Sequence, residues 1–143
     1  FTITNKNSKA GKLLNKNIKV EQEFSRDLPK VFVVRNQIQQ VIFNLLLNSM
    51  EAMAEGGSVK IITKRAKNSI EITIQDSGTG IADDVKEKLF EPFMSSKEEG
   101  TGLGLSVSYG IITAHGGDIK LVDGEGIGAC FCISLPLAFI IWS

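Results

Sequence analysis

"QVIFNLLLNSMEAM", residues 40–53, is the stretch around which we expect the fold to be built. Apolar residues recur here at helical spacing, and Phe43 and Leu47 widen the apolar stripe. The stripe itself consists of Ile38, Val41, Ile42, Leu45, Leu46 and Met53. The pattern predicts a helix that is buried on most sides. We expect Asn36 to be its N-cap and the glycine pair at 56–57 to end it.

Two amides interrupt this apolar helix. Asn44 and Asn48 are four residues apart and therefore share one face of the helix. Because an unpaired buried amide costs about 1–3 kcal/mol, the two amides require a common partner. One interpretation is that both are satisfied within the core, for instance at a neighbouring strand. The other is a Mg²⁺ ion with a bound polyphosphate, since Mg²⁺ takes oxygen ligands and commonly shares them with phosphates.

The stretch "SIEITIQD", residues 69–76, has the alternation of a half-buried strand. Three alternate side chains share one face: Ile70, Ile72 and Ile74. Asp76 is next in that series, and a carboxylate directed at the core is costly unless it is paired or hydrogen-bonded. Gly78 and Gly80 open the backbone beside it, which suits a flat ligand with N–H donors, such as the amino group of adenine. The alternative is an Asx-type turn that caps the strand.

Glycines alternate with other residues in "GTGLGL", residues 100–105, directly before a second helical pattern. The GxxxxGK[ST] spacing of a P-loop is absent, and so is GxGxxG after a strand. Glycines at a helix start can hold phosphate through backbone N–H groups, so the alternatives are a phosphate site and a flexible loop. Lys97, in the preceding loop, would either reach a terminal phosphate or be a solvated surface lysine.

The remaining pattern predicts an α+β fold. Strands are expected at residues 17–24, 30–34, 58–66, 69–76 and twice within 118–137, with a turn near Lys67-Asn68. Further helices are expected at residues 83–90 and 103–117, the second closed by the glycine pair at 116–117. Three or four helices and six or seven strands in mixed order fit a sheet with helices stacked on one face.

Length and charge limit the possible function classes. The 143 residues fit one domain, and 16 basic and 16 acidic residues give a formal net charge of zero. That balance argues against non-specific binding to nucleic acid or to a membrane surface.

Cys130 and Cys132 lie two apart on one strand face and cannot easily bridge each other, so we expect buried free thiols in a reducing cytoplasm. His115, the single histidine, is expected to have a structural role at a helix C-terminus.

Four segments, in order, resemble the motifs of the sensor histidine kinases. "QVIFNLLLNSMEAM" resembles their N box, and "DSGTGI", residues 76–81, resembles their G1 box. "LFEPFMSSK", residues 89–97, resembles the F box, and "GTGLGLSVSYGIITAHGG", residues 100–117, resembles the G2 box and the helix after it. The resemblance covers about residues 17–137. Four boxes in the right order and spacing are much more specific than any one of them.

This resemblance implies the Bergerat or GHKL ATP-binding fold, a two-layer α/β sandwich. Its sheet is mixed and mainly antiparallel, with the helices on one face. ATP would lie between the N-box helix and a mobile lid at residues 92–100, whose shortness is similar to that of the nitrogen-regulation type of kinase. Phe90 and Phe93 would hinge the lid against the core. The whole chain, residues 1–143, would be a single catalytic domain with a core at about 17–137.

The resemblance also implies roles for individual residues. Asp76 would bind the adenine amino group. Asn48 would coordinate Mg²⁺ with help from Asn44, and Lys97 would approach the γ-phosphate, which makes these three the expected catalytic residues. The other residues expected to bind the nucleotide are Gly78, Gly80, Ile81, Phe90, Gly100, Thr101, Gly102, Leu103, Gly104 and Leu105.

The implied function is transfer of the ATP γ-phosphoryl group to a histidine on a separate dimerisation domain, and from there to a response regulator. Hydrolytic relatives carry a glutamate where this chain has Asn44, and an amide cannot act as a base. The alternatives are an ATP hydrolase or an anti-sigma-type serine kinase of the same fold, and a non-catalytic nucleotide-sensing module.

The chain departs from the kinase pattern in three places. No aspartate precedes the N box, and Glu51 stands where many members carry a basic residue. No phosphoacceptor histidine box is present, so we expect the catalytic part of a longer kinase, without an acceptor of its own. Its partners would be the dimerisation domain of the parent and, indirectly, a response regulator. We expect a cytoplasmic domain, monomeric in isolation, with no contact to nucleic acid or membrane, even if the parent is membrane-anchored.

Overall fold

The computed structural model describes residues 17–53, 55–81, 86, 90–91, 104–122 and 128–137. In chain order, the elements are β1 (Ile18–Phe24), α1 (Arg35–Glu51), β2 (Gly57–Arg65), β3 (Ser69–Asp76), α2 (Gly104–Ala114), β4 (Asp118–Val122) and β5 (Cys130–Pro136). The five described strands and two described helices are fewer than predicted. The helix expected at 83–90 and the lid expected at 92–100 lie almost entirely outside the described residues.

The strands form one sheet in the order β1-β2-β3-β5-β4. β1 runs parallel to β2, and the other three neighbouring pairs are antiparallel. α1 packs on β3, α2 packs on β4, and the two helices contact each other, so they form a second layer on one face of the sheet. The predicted α+β sandwich with a mixed, mainly antiparallel sheet is confirmed.

The core lies between the two layers. Ile72 faces Ile133 and Ile74 faces Phe131 across the β3–β5 pair, and all four side chains are buried. Asp76 is buried in the same row, as the alternation predicted. The opposite face of the sheet is polar and carries exposed ion pairs, of which the one between Lys60 and Glu23 measures 2.8 Å. Among the described residues, this face therefore carries most of the polar side chains of the sheet.

α1 differs from its prediction at both ends. Its N-cap is Val34, with no side-chain cap, whereas Asn36 lies inside the helix and is exposed, so the predicted cap is wrong. Val34 is fixed by a contact from the other helix, because its N–H donates to His115 Nε2 at 3.0 Å. The helix ends at Glu51, before the glycine pair that was expected to end it. From residue 41 to 50 no side chain is exposed, which confirms the predicted burial.

The segment at 30–34, predicted as a buried strand, does not form one. Its side chains do alternate, since Val31 and Val33 pack against the core while Phe32 and Val34 are exposed. Both edges of β2 are already occupied, by β1 and β3, and the segment instead leads into α1. The alternation therefore reflects packing on the core without strand pairing.

Two predicted turns are confirmed. Ala66 N–H donates to the carbonyl oxygen of Ser69 at 2.8 Å, which closes the turn at residues 67–68. Gly116 has a φ of +74° directly after α2, as expected for a helix-ending glycine. In the part of the chain that the structure describes, no helix is long and apolar enough to cross a membrane.

Candidate functional site

Asp76 lies at the end of β3, with only 6% of its surface exposed. Its Oδ1 accepts hydrogen bonds from two backbone N–H groups, that of Gly78 at 2.9 Å and that of Ala129 at 3.1 Å. The Asp76 N–H in turn donates to the Ala129 carbonyl oxygen at 2.9 Å. Both of these carboxylate bonds use Oδ1, so this oxygen fixes the side chain. The Asx-type bond expected from the sequence is present, and the role of the carboxylate toward a ligand stays a prediction.

Two glycines hold the backbone close to this carboxylate. A β-carbon at Gly128 would overlap the carbonyl oxygen of Asp76 and come within 2.6 Å of its Oδ1. A β-carbon at Gly78 would come within 2.8 Å of the carbonyl oxygen of Ala52. The glycine at 78 is therefore required by the end of α1, a reason that the sequence did not reveal. Gly80 has a φ of +76°, which glycine adopts at little cost.

Asn44 connects α1 to the first turn of α2. Its Nδ2 donates to the Gly104 carbonyl oxygen at 3.3 Å and to Ser108 Oγ at 3.2 Å. Ser108 Oγ also donates to the Gly104 carbonyl oxygen, at 2.8 Å. Because a carbonyl oxygen can only accept, these bonds orient the amide with its nitrogen toward α2 and its oxygen away from it. Asn48, one turn further along α1, is half-buried on the same face.

Ser49, also on α1, is buried without a hydrogen-bond partner for its hydroxyl among the described residues. Only 1% of its surface is exposed. An unpaired buried hydroxyl costs about 1–3 kcal/mol. In the sequence, Ser49 is marked only as a polar side chain within an apolar helical row.

Aromatic contacts join the start of the predicted lid to α2 and the core. The Phe90 ring lies 5.4 Å from the Tyr109 ring and 6.4 Å, edge to face, from the Phe131 ring. Leu105 and Ile81 are half-buried and pack against the core cluster. These contacts place Phe90 against α2 and the core, and its position relative to the predicted lid stays a prediction.

The structure describes most of the residues of the predicted site. Nine of the fourteen predicted residues are described, and they lie on the end of β3, on α1, at the start of α2 and at Phe90. The five that fall outside the described residues are Lys97, Gly100, Thr101, Gly102 and Leu103. Three residues that contact the site were missed: Gly128, Ala129 and Ser108. For the first two, the signal was the glycine spacing of "GIGAC" before the last strand.

The metal chemistry of the site depends on amides. Within the described ranges, no group of three His, Cys, Asp or Glu residues could hold a metal ion. The amides of Asn44 and Asn48 lie on one helix face, and their oxygens would be neutral ligands of a kind that suits a cation that also takes oxygens from a bound phosphate. This donor set fits Mg²⁺ delivered with a nucleotide better than a resident metal ion.

The cysteines and the histidine lie outside this site. Burial raises the pKa of the Cys130 thiol, and the neighbouring Cys132 and the Asp76 carboxylate raise that pKa further. Burial also raises the pKa of the Cys132 thiol, which is half-buried. Both thiols are free and poor nucleophiles at neutral pH. His115 Nδ1 lies 2.7 Å from the Ile111 carbonyl oxygen while Nε2 accepts from Val34, which is the structural role that was expected.

Comparisons with known proteins agree with this geometry. Residues 33–139 match the family described as histidine kinase-, DNA gyrase B-, and HSP90-like ATPase. Sporulation kinase E of Bacillus subtilis is 38% identical over 122 residues, which cover 85% of this chain and 16% of that protein. The chain thus spans about a sixth of the length of that relative.

Two solved structures show the same arrangement. The catalytic domain of histidine kinase ThkA superposes with a TM-score of 0.79 at 35% identity, covering 89% of this chain and 84% of that one. The full-length structure of ShkA in complex with AMPPNP superposes with a TM-score of 0.76 at 27% identity, covering 86% of this chain and 26% of that one.

Proposed function

This chain belongs to the histidine kinase-, DNA gyrase B-, and HSP90-like ATPase family, and we propose that it is the catalytic domain of a sensor histidine kinase. The family match and the kinase relatives support ATP as its nucleotide. The ShkA structure contains AMPPNP, which agrees with a nucleotide site on this fold. The observation that carries the proposal is the Asp76 carboxylate, which is buried and held through Oδ1 by two backbone N–H groups.

Asp76 would select adenine. The exocyclic amino group of adenine would donate to Oδ2, while the backbone N–H groups of Gly78 and Ala129 hold Oδ1 in place. The carboxylate is buried and fixed before the ligand arrives, so little conformational freedom is lost on binding. Guanine would direct its O6 at the same carboxylate oxygen, and two acceptors repel each other. Gly80 and Ile81, which follow on the same loop, would line the base.

The start of α2 and the polar face of α1 would hold the phosphates. The N–H groups at Gly104 and Leu105 begin α2, and such groups favour an anion. Asn48, with Asn44, would supply oxygen ligands for Mg²⁺, which when bound neutralises charge on the phosphates. Asn44 also ties α1 to the carbonyl oxygen of Gly104, so it would fix the distance between the metal face and the phosphate loop. Lys97 and the backbone at 100–103 complete the proposed phosphate site.

The reaction would be phosphoryl transfer to histidine. The bond from the γ-phosphorus to the bridging oxygen breaks, ADP leaves, and a bond forms to a ring nitrogen of a histidine on the dimerisation domain of the parent protein. A response-regulator aspartate would then receive the group. Asn44 cannot take a proton from water, so the site lacks a base at the position where a hydrolase would need one. The domain therefore acts by positioning and by charge stabilisation. We propose that it works in the cytoplasm and is monomeric in isolation.

Asp76→Asn tests the nucleotide site. Oδ1 of the asparagine would keep its two backbone N–H donors, so its Nδ2 would face the amino group of adenine and two donors would meet. We expect at least a tenfold weaker affinity for ADP, measured by calorimetric titration, with little change in the melting temperature of the free domain. If the variant bound ADP as tightly as the wild type, the adenine base would not lie against Asp76.

A second assay separates the reaction classes. The chain, labelled ATP and Mg²⁺ are mixed with a dimerisation fragment of a related kinase, with and without its acceptor histidine. We expect label on the fragment only when its histidine is present. Release of free phosphate at a comparable rate would indicate the hydrolase, and binding without either product would indicate a nucleotide sensor.

A further inference from the structure

An apolar cavity lies at the end of the sheet that is remote from Asp76. It has a volume of about 530 Å³ and lies beneath the first two turns of α1. Buried side chains of the sheet, such as Ile61, Ile70 and Leu135, form its floor. Ten of the thirteen described residues that line it are apolar. Because pockets for small molecules measure about 300–1,000 Å³, this cavity is large enough to hold several apolar side chains.

The rim of this cavity is left uncovered by the residues that the structure describes. Phe24 lines it, and the period of two puts Phe24 on the same face of β1 as the buried Ile18. Yet 40% of the surface of Phe24 is exposed, against 9% for Ile18. The roof is the start of α1, which has no side-chain cap and therefore depends more on packing. The core is thus incomplete at this end of the sheet within the described part of the chain.

An apolar stretch of sequence begins beside this cavity. β5 ends at Pro136, and the N–H of the fully buried Leu137 donates to the Asn68 carbonyl oxygen at 3.2 Å. Leu135, two residues earlier, lines the cavity. The sequence continues with "AFIIWS", residues 138–143, which carries no charge and lies outside the described residues. Six extended residues reach about 20 Å, which is enough to cross a cavity of this volume.

We propose that residues 138–143, here called the tail segment, turn back under α1 and fill this cavity with their apolar side chains, including that of Trp142. The tail segment would complete the core beneath the first two turns of α1. The same helix carries Asn44 and Asn48 further along, so the segment would also brace the helix that bears the predicted Mg²⁺ ligands.

The residues before β1 are a poorer fit to the cavity. Ile18, the first residue of β1, pairs with Gly57, and Val59 two residues later pairs with Asp76. The chain therefore enters the sheet at the end opposite to the cavity. Residues 1–16 also contain four lysines, whose charges would be costly in an apolar cavity: Lys6, Lys9, Lys12 and Lys16.

Trp142 is the only tryptophan of the chain, so tryptophan fluorescence reports on the tail segment alone. We expect the emission of the folded chain to be blue-shifted relative to the urea-unfolded chain and weakly quenched by acrylamide, because the cavity shields the ring from water. Removal of residues 138–143 should lower the melting temperature by about 4–8 °C, since the lost side chains leave the cavity empty.

Phe24→Asp directs the test at the cavity, with Phe32→Asp as a matched control. Phe32 precedes α1, is 63% exposed, and is not among the described residues that line the cavity. A carboxylate at the rim would lose its hydration against the tail segment. We therefore expect Phe24→Asp to shift the emission to the red and to increase quenching, while the circular dichroism spectrum stays that of the folded chain. Phe32→Asp should leave the emission and the quenching unchanged.

Three results would overturn the inference. Emission of the folded wild type that equals that of the urea-unfolded chain shows that the tail segment does not pack. Blue-shifted emission that Phe24→Asp leaves unchanged, or that Phe32→Asp changes equally, places the segment elsewhere on the domain. Emission that shifts to the red when the chain is diluted shows that the segment of a second copy fills the cavity. None of these measurements involves nucleotide, so each outcome leaves the proposed function intact.

Discussion

The position of Asp76 depends on Gly128, a residue at the entry to a different strand. The Gly128 backbone passes so close that a β-carbon there would overlap the Asp76 carbonyl oxygen. The next residue, Ala129, makes two hydrogen bonds with Asp76: its N–H donates to the carboxylate, and its carbonyl oxygen accepts from the Asp76 N–H. A side chain at position 128 would therefore separate β5 from the end of β3 and release the carboxylate.

Gly128→Ala should destabilise the domain by about 2 kcal/mol or more, because the clash involves backbone that cannot move aside without breaking these bonds. Gly110→Ala is the matched control, since Gly110 lies within α2 and has nothing within 4 Å of its β-carbon position. That change should stabilise the domain by about 0.5–1 kcal/mol. Urea unfolding measures both. Equal effects of the two substitutions would show that the approach at Gly128 is not tight.

At the residue scale, the sequence predicted which way a side chain points better than it predicted the hydrogen-bond partner of that side chain. Apolar residues alternate along β3 with a period of two, which predicted that Asp76 lies on the buried face of the strand, and the structure agrees. Its partner Ala129 could not be predicted, because it is brought there by strand pairing and not by spacing along the chain. The same applies to the hydroxyl of Ser108, whose partner Asn44 lies on another helix.

At the scale of elements, α1 and α2 are joined by hydrogen bonds near one end of their contact and by a histidine at the other. Asn44, Ser108 and the Gly104 carbonyl oxygen form the first connection. His115, at the end of α2, bonds the Val34 N–H at the start of α1 and forms the second. The two helices are thus fixed relative to each other at both ends.

Ser108→Ala should lower the free energy of unfolding by about 1–2 kcal/mol, because two hydrogen bonds are lost and the Asn44 amide keeps only one acceptor. Ser49→Ala provides the comparison, since it removes a buried hydroxyl that has no partner within the described ranges. Chemical denaturation of both variants without nucleotide measures the difference. If Ser108→Ala were the more stable of the two, the bonds between the helices would not contribute to stability.

The ends of the elements show where sequence reasoning fails. Asn36 has the chemistry of a cap, yet Val34 is the cap residue because His115 binds its N–H. The alternation at 30–34 predicted a strand, but Val31 and Val33 pack against the core and the segment forms no strand. In each case the end or the type of the element depends on contacts between distant residues, and the local sequence pattern contains no information about such contacts.

At the scale of the whole molecule, nucleotide binding should increase the stability of the folded domain. A ligand at one hundred times its dissociation constant stabilises the folded state by about 2.7 kcal/mol. For a domain of 143 residues, this corresponds to a rise in melting temperature of roughly 9 °C. We expect this rise with ADP, measured by calorimetry, and a much smaller one with GDP at the same concentration. An equal rise with both nucleotides would contradict the role of Asp76.

The parallel pairing of β1 with β2 has a consequence for how the chain folds. β2 and β3 are joined by a short turn and can pair early, because little loop-closure entropy is lost. β1 must wait until the connection that contains α1 has crossed the sheet, since parallel neighbours cannot be joined by a hairpin. We therefore expect β1 to join the sheet last. Substitutions in β1 should then mainly speed unfolding, while those in the β2–β3 hairpin slow folding.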